Sequence, residues 1–535
     1  MTNTNNDVTK ELSRVKLYLD GKLIVKHNFE PIDVSGGIDW DYKHSHNANT
    51  YQTYLHSLGI LRDLVKIGRQ FNDDMYHLKA KGIIESWYEA NGSARKANYA
   101  WREHPVASRI ENIIFFQRNA SEHTKMNEDE FSHLIAIHCE FLSEEKNYKP
   151  NNHGLMMDNA LLAAARYLKD YRLKKYYIDK TLYRVKFALY RDFSRKGTHL
   201  ENSPEYHRLA LNLYKKIEKS LAANKLSIGR EPSQLLKMAE MYKSYIIKPN
   251  NEYPLIGDSG TAKDLKVKKK YSDFIDYDAG IGILQTENKT APEQSTWMSF
   301  KCGYHSRTHK HKDDLSISLY MDGNDVLIDS GKYSYNAQDP VREFIISPEA
   351  HNTVTVKGED YNLSEPVSEQ FKMKITKNMR RGKHKIISGI NKLYDKATLV
   401  RHAILSTDDI LFLNDKVSGD EEMIFQQIFN INEDAEILRI NEQTFEIYLG
   451  GETYILKNLN EMSADISSSI KDGYVSREFS KYKNNKRIIF ELKQKNGAFF
   501  TVIYNKKNAQ YINHIVLKDR EIDYTFKNKK HNVIY

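Results

Sequence analysis

Cysteine is almost absent: Cys139 and Cys302 are the only two in 535 residues, far apart in stretches that read as buried helix and buried strand. A disulfide framework is therefore not expected, and a metal site built from several cysteines is excluded by count. Proline is also scarce, at 11 residues, and no low-complexity tract or internal repeat is present. No stretch approaches the run of about 18 apolar residues that a membrane-spanning helix requires. Residues 1–30 are polar and lack the continuous apolar core of a secretory leader. As written the sequence reads as cytoplasmic, or as periplasmic or secreted if a leader has been removed. No zinc-finger, RRM-like or helix-turn-helix pattern is found, so nucleic acid is not the expected partner. Nothing in the sequence fixes an oligomeric state.

What is present is the composition of a globular protein, 40% hydrophobic and 28% charged, in a chain long enough for two or three domains. The net charge of +9 suits a polyanionic partner, although many lysine-rich proteins carry such a balance without one. Tyrosine is unusually frequent, with 35 residues, many of them interleaved with Lys and Arg. Such surfaces suit sugar rings as well as bases.

From about residue 51 to 248 the apolar spacing is helical, as in Tyr54, Leu58, Leu61, Val65 and in Phe131, Leu134, Ile135, His138, Leu142. Further helices are expected at 160–173, 180–193, 204–221 and 231–246. Past Lys248-Pro249-Asn250-Asn251 the pattern changes to short β-branched and aromatic segments, at 296–302, 315–321, 326–329, 353–357, 499–504 and 512–517. Asp322-Gly323, Asp472-Gly473 and Asn496-Gly497 read as turns. The expected fold is therefore α+β and multidomain. An N-terminal extension (1–40) precedes a helical domain of paired antiparallel helices (41–250), which fits a helical array or toroid. An antiparallel β-sandwich domain (251–535) follows.

Three stretches could carry chemistry. In residues 304–314, His309 and His311 lie two apart, so on an extended segment both imidazoles face one side. Asp329, ending an apolar strand, and His351 follow downstream, and two imidazoles with one carboxylate are an ordinary ligand set for zinc or a similar divalent ion. Asn151-Asn152-His153 opens a helix, where Asn is equally a favoured N-cap. Glu201-Asn202-Ser203-Pro204-Glu205-Tyr206-His207 also opens a helix, with Ser203 and Pro204 as an ordinary cap and first-turn pair.

Taken together and in this order, these segments resemble the heparinase II/III family. Its β-domain signature is matched by His309-x-His311-x-Asp313, by Asp329-Ser330-Gly331-Lys332-Tyr333-Ser334-Tyr335, by Arg342 and by His351-Asn352-Thr353-Val354. Its two helical-domain stretches are matched by Asn151-Asn152-His153 and by residues 201–207. Residues 55–61, residues 101–114 with Arg109 and Asn112, and Leu255-Ile256-Gly257-Asp258 are similar too. The resemblance runs from about residue 38 to 400 by motif order.

The resemblance implies a polysaccharide lyase with an (α/α) toroid and a β-sandwich, acting by β-elimination on a uronic-acid-containing polysaccharide or oligosaccharide. Candidate substrates are heparin or heparan sulfate, hyaluronan, alginate and bacterial capsular or exopolysaccharides. Carried over residue by residue, Asn152 hydrogen-bonds the uronate carboxylate, with Asn151 the next choice of register. Tyr206 is general acid and possible base, and His309 is the second proton-transfer group or carboxylate partner. Asn at the first position, where some members carry His, points toward the heparinase III-like branch; His153 would restore a histidine in a shifted register. Arg109, Asn151, His153, Glu201, Tyr304, Arg307, Tyr333 and Arg342 are implied substrate-binding residues, with Lys310 and Tyr335 as further lining. His311, Asp329 and His351 are implied to hold one structural divalent ion, zinc by ligand type, and no organic cofactor is expected. Two rivals stand beside this reading. One is a glycoside hydrolase using Glu201 or Glu205 with Asp313 or Asp314. The other is a non-catalytic glycan-binding protein on the same fold.

Overall fold

The computed structural model of the chain describes residues 2–26, 29–45, 47–92, 99–363, 371–461, 466–518 and 520–535. It divides into two compact units, one of Met1–Arg191 with Asn212–Pro232 and one of Asp192–Leu211 with Ser233–Tyr535. No helix among the described residues is long and apolar enough to cross a membrane.

The first unit is helical. Helices Ile60–Phe71, Met75–Asn91, Glu103–Asn119, Glu128–Ser143 and Asn152–Ala165 turn their apolar stripes inward, burying Leu64, Trp87, Ile110, Leu134 and Leu161 in one core. Their starts follow local chemistry. Asn127 and Glu130 form a reciprocal capping box, with Glu130 N–H donating to Asn127 Oδ1 at 2.8 Å and Asn127 N–H to Glu130 Oε2 at 3.3 Å. The single helix expected at 160–173 is two: one ends at Ala165 and the next, Tyr171–Asp192, begins where Asp170 accepts from the N–H groups of Arg172 and Leu173. An N-cap inside a continuous apolar pattern broke the period. Residues 1–40 include a helix, Thr2–Leu19, whose Val15 is buried and whose Arg14 pairs with Asp63 at 2.8 Å. Cys139 is buried here and free, as Cys302 is in the second unit.

The second unit carries three antiparallel sheets of five, ten and three strands. Alternation along the ten-stranded sheet explains the layering. Ile387, Ala403, Leu405, Leu411, Leu413 and Ile503 face a core shared with Met298, Phe300, Ile317 and Leu319 of the five-stranded sheet. Their neighbours Ile386, Ile404, Phe412 and Val502 face Ile522, Tyr524, Phe526 and Val533 of the three-stranded sheet. On its other face the five-stranded sheet packs Ile281, Ile283, Trp297 and Tyr320 against Tyr242, Ile246 and Ile247 at the end of helix Arg230–Ile246 and just beyond it. Trp297 Nε1–H completes that seam by donating to Tyr245 O at 3.1 Å.

Asp322-Gly323 forms the expected turn, with both residues at positive φ (49° and 87°), as a two-residue hairpin favours. The other two turn expectations are corrected. Asp472-Gly473 lies inside strand Ile466–Glu478, and Asn496-Gly497 inside strand Lys481–Asn505. At Gly473 a Cβ would come 2.7 Å from Asn485 Oδ1 and 3.1 Å from Arg487 Cδ, so glycine marks a place where side chains of the paired strand lie across the backbone. Gly497 sits where the pairing with strand Leu411–Asn430 shifts register, between Ser418 and Met423.

Candidate active site

Helix Pro204–Ala222 begins at a segment that ties it to residues 258–260. Ser203 caps the helix, accepting from Tyr206 N–H at 3.3 Å while its hydroxyl donates to Asp258 O at 3.0 Å. Glu205 Oε2 accepts from Gly260 N–H at 2.8 Å, and its Oε1 takes Lys332 Nζ at 2.5 Å. Asn202, at φ 59°, donates to the carbonyls of Ser306 and Thr308 at 2.6 and 3.1 Å and so holds the loop that carries His309. His309 is itself at φ 57°, a conformation most residues avoid. Between the two, Gly257 has no room for a side chain: a Cβ would lie 2.7 Å from Asn202 O and 2.8 Å from His309 O.

This scaffold lays Tyr206 flat on His309, ring centroids 3.4 Å apart and planes 19° from parallel. The Tyr206 hydroxyl lies 2.6 Å from that of Tyr335. His309 Nδ1 is 2.9 Å from Asp258 Oδ2, and its Nε2 is 3.8 Å from Glu201 Oε2. Asp258 is the hub, because its Oδ1 also takes His311 Nε2 at 2.9 Å and Arg342 NH1 at 2.6 Å. Burial alone would raise the Asp258 carboxyl, but the hydrogen bonds of His309 and His311, the charge of His311 and the Arg342 bond outweigh it and hold the group well below the ordinary carboxylate range. An ionised carboxylate only accepts, so His309 Nδ1 is the donor to Asp258, and Nε2 is the nitrogen turned toward Glu201. Burial raises the Tyr206 phenol. The Tyr335 hydrogen bond lowers it in part, and the charges of Asp258, Glu205 and Glu201 raise it again. Burial raises Tyr335 as well, and in the bond between the two hydroxyls either oxygen can be the donor.

Behind His309 lies the group His311, Asp329 and His351, all buried, each with a ligand atom within 4.8 Å of the others. His311 spends Nε2 on Asp258, and His351 spends Nδ1 on Asp329 Oδ1 at 2.9 Å. The remaining nitrogens, His311 Nδ1 and His351 Nε2, are buried without a hydrogen-bond partner. Two buried imidazole nitrogens without a partner beside a carboxylate, each ring anchored through its other nitrogen, fit a divalent cation, which would displace any proton they carry. The group could hold a metal.

Tyr206, Glu201, His309, Tyr335 and Arg342 are thus brought together with the metal group in one unit. Asn151, Asn152 and His153 lie in the other. Asn151 is the N-cap of helix Asn152–Ala165, accepting from His153 N–H at 2.9 Å, and His153 Nδ1 is 3.2 Å from Glu103 Oε1. Four expected lining residues are placed differently. Arg109 is fully buried, donating to His138 Nε2 and to the carbonyls of His56 and Ala100, with its guanidinium 3.8 Å from the Trp87 ring centroid. It joins helices rather than facing a ligand. Tyr304 is buried in the core between sheets, and Lys310 is buried as the ion-pair partner of Asp313 and Asp314. Arg342 acts through Asp258 and the carbonyl of Lys332. Arg307 is exposed, and Tyr333 is partly so, at φ 50°. Asp258 has a role that sequence alone does not assign. Its motif at 255–258 resembles the family's, but three donors converging on it from 51 to 84 residues away cannot be seen in one dimension.

Residues 2–279 match the family description "Heparinase II/III N-terminus" and residues 277–511 match "Heparinase II/III-like, C-terminal". The chain belongs to the heparinase II/III family. A curated relative, the heparin-sulfate lyase of Bacteroides thetaiotaomicron, is 20% identical over 466 residues, 76% of this chain, and the match spans 65% of the relative's length. Among solved structures, a heparinase III superposes with a TM-score of 0.82 at 17% identity, covering 98% of this chain and 90% of that one. The heparan sulfate lyase HepC of Pedobacter heparinus gives 0.80 at 15% identity, covering 98% and 88%. At these identities the likeness establishes the fold of a heparinase III. The family match extends to both sides of the span legible from the motifs.

Proposed function

We propose that this heparinase II/III family member is a polysaccharide lyase that cleaves a uronic-acid-containing polysaccharide by β-elimination, with a heparan-sulfate-like chain as its substrate. The observation that carries the reading is the Tyr206–His309 stack, with one ring bonded to Tyr335 and the other to Asp258. It presents a phenol hydroxyl and an imidazole together, the two proton-handling groups that elimination needs. The substrate class is supported by the names of the relatives, two of them heparan or heparin-sulfate lyases, and by the net charge of +9.

In the proposed reaction the uronate carboxylate is hydrogen-bonded by Asn152, which makes the C5 proton acidic enough to leave. Asn151 is committed to capping its helix, which supports Asn152 as the register. The C5 proton is taken by the Tyr206–His309 pair, in which His309 Nε2 is the acceptor. Tyr206 protonates the departing oxygen as the C4–O bond breaks and the C4–C5 double bond forms, so no water is consumed. A divalent cation, zinc by its donor set, would be held by His311, Asp329 and His351 and would supply a fixed charge that keeps the His309 loop in place.

The hydrolase reading loses one half of its carboxylate pair. Asp313 and Asp314 are buried against Lys310, and Glu205 is bonded to Lys332 and Gly260 N–H, which leaves Glu201 without an acid partner from that set. Incubation with heparan sulfate, hyaluronan and alginate, followed by near-ultraviolet absorbance, tests the proposal. New absorbance with heparan sulfate is the expected result, and no absorbance with any uronate polymer would contradict it.

A further inference from the structure

Strands Ile466–Glu478 and Lys481–Asn505 meet in a hairpin tip that no motif of the sequence singled out. The tip is clamped to both segments that build the site. Ser476 N–H donates to Ser330 O at 2.8 Å, Tyr333 N–H to Ser476 Oγ at 3.0 Å, Ser480 N–H to Tyr333 O at 2.8 Å and Thr261 N–H to Arg477 O at 2.8 Å. The fit at Gly331 is close enough that a Cβ would lie 2.0 Å from Ser476 O. Through these bonds the tip is fixed beside the residues that follow Asp258 and Asp329.

The clamp delivers aromatic rings to the site. Phe479 lies 5.8 Å from Tyr335, whose hydroxyl bonds that of Tyr206, and Tyr482 lies 5.5 Å from Tyr333 and 5.2 Å from Tyr474. Tyr335, Phe479 and Tyr482 stay 52%, 53% and 47% exposed. Backbone pairing alone would hold the hairpin, and nothing in the core requires half-exposed rings at Phe479, against Tyr335, and at Tyr482, against Tyr333. Contiguous exposed apolar surface at the mouth of a site marks a binding surface. Aromatic faces accept the C–H faces of pyranose rings, and these rings continue through Tyr335 to the Tyr206 hydroxyl.

We propose that Phe479 and Tyr482 form a sugar-stacking subsite, continuous with Tyr335 and Tyr206, that seats residues of an acidic glycan flanking the bond to be cut. This rests on the lyase reading above and adds the surface that would grip the chain beyond the reacting sugar. The test is calorimetric binding of heparan sulfate and hyaluronan oligosaccharides of graded length to Tyr206→Phe protein, with and without Phe479→Ala and Tyr482→Ala. The double substitution is expected to weaken binding of the longer oligosaccharides at least about fivefold and to flatten the gain in affinity with length. The ring-retaining pair Phe479→Tyr and Tyr482→Phe is expected to restore both. Unchanged affinity and length dependence, where the unsubstituted protein cleaves the polymer, overturns the subsite alone. An unsubstituted protein that neither binds nor cleaves any acidic glycan overturns the lyase reading and the subsite with it. Self-association of the Tyr206→Phe protein that the double substitution abolishes would instead make the rings a contact between two copies of the chain, and would also overturn the subsite.

Discussion

Tyr206 and His309 lie face to face, 3.4 Å between ring centroids, although 103 residues of sequence separate them. Each ring is fixed from behind, Tyr206 through the Ser203 cap of its helix and His309 through Asp258. Ser203 also donates to the Asp258 carbonyl, so one three-residue junction sets both partners. Orientation of this kind is what the site offers to a proton-transfer reaction.

Replacing Tyr206 with Phe keeps the stack and removes only the hydroxyl. Turnover is expected to fall roughly 10²- to 10⁴-fold. The thermal midpoint should barely move, because the ring stays in place. Initial rates by ultraviolet absorbance beside a melting curve check this; near-normal turnover would remove Tyr206 from the mechanism.

The metal group predicts one divalent ion per chain. Elemental analysis of purified or zinc-titrated protein should find it, and His311→Ala or His351→Ala should lose it. Asp258→Asn, which disturbs the bond orienting His311, should weaken metal binding about 10- to 100-fold. Chelation should lower the thermal midpoint, since an ion held only by the native state stabilises it by mass action. Full-strength folding with no ion bound would show that the orphaned nitrogens serve another purpose.

Lys310 stands between His309 and His311 and is fully buried with Asp313 and Asp314, its ammonium held well above the ordinary range by the two carboxylates against the opposing effect of burial. Lys310→Met strands two buried carboxylates and is expected to cost about 3–5 kcal/mol of stability. Urea denaturation measures it. A cost below about 1 kcal/mol, the range of exposed pairs, would mean that water reaches the cluster.

Asp158, in the helical unit, has its carboxyl raised by burial to about 7, only partly offset by Arg184 and by the Tyr148 hydroxyl 2.9 Å away. The sign follows from linkage. The native state holds this proton more tightly than the unfolded chain, so its contribution to stability is full below pH about 4 and is lost as pH rises to about 7. Asp158→Asn should remove that slope, so that the difference in urea midpoint between the two proteins shifts in favour of the variant from pH 4 to 7. Parallel profiles would contradict the raised value.

Much of the architecture was legible because two periods carry it. Helical spacing gives the first unit, and the β-rich segments expected at 296–302 and 315–321 lie on strands Thr296–Lys301 and Ser316–Met321, whereas the strand of Ile386 and Ile387 was not singled out. Tyr206 and His309 were legible through motif order. Burial was not: Arg109 and Tyr304 have the chemistry of ligand-facing residues, and only the fold reveals that Trp87 and the inter-sheet core enclose them. Asp258 and the Phe479–Tyr482 tip escaped for a related reason. Each gains its meaning from partners more than 50 residues distant, and Asp472-Gly473, which reads as a turn, concealed the strand that delivers the tip.

The central claim is elimination, and mass balance tests it most directly. A defined heparan sulfate oligosaccharide is cut once by the protein and both fragments are weighed by mass spectrometry. The account predicts that the fragment masses sum to the mass of the parent, with the new non-reducing end short of one water relative to a saturated uronate. Fragments summing to the parent plus one water would identify hydrolysis and contradict it.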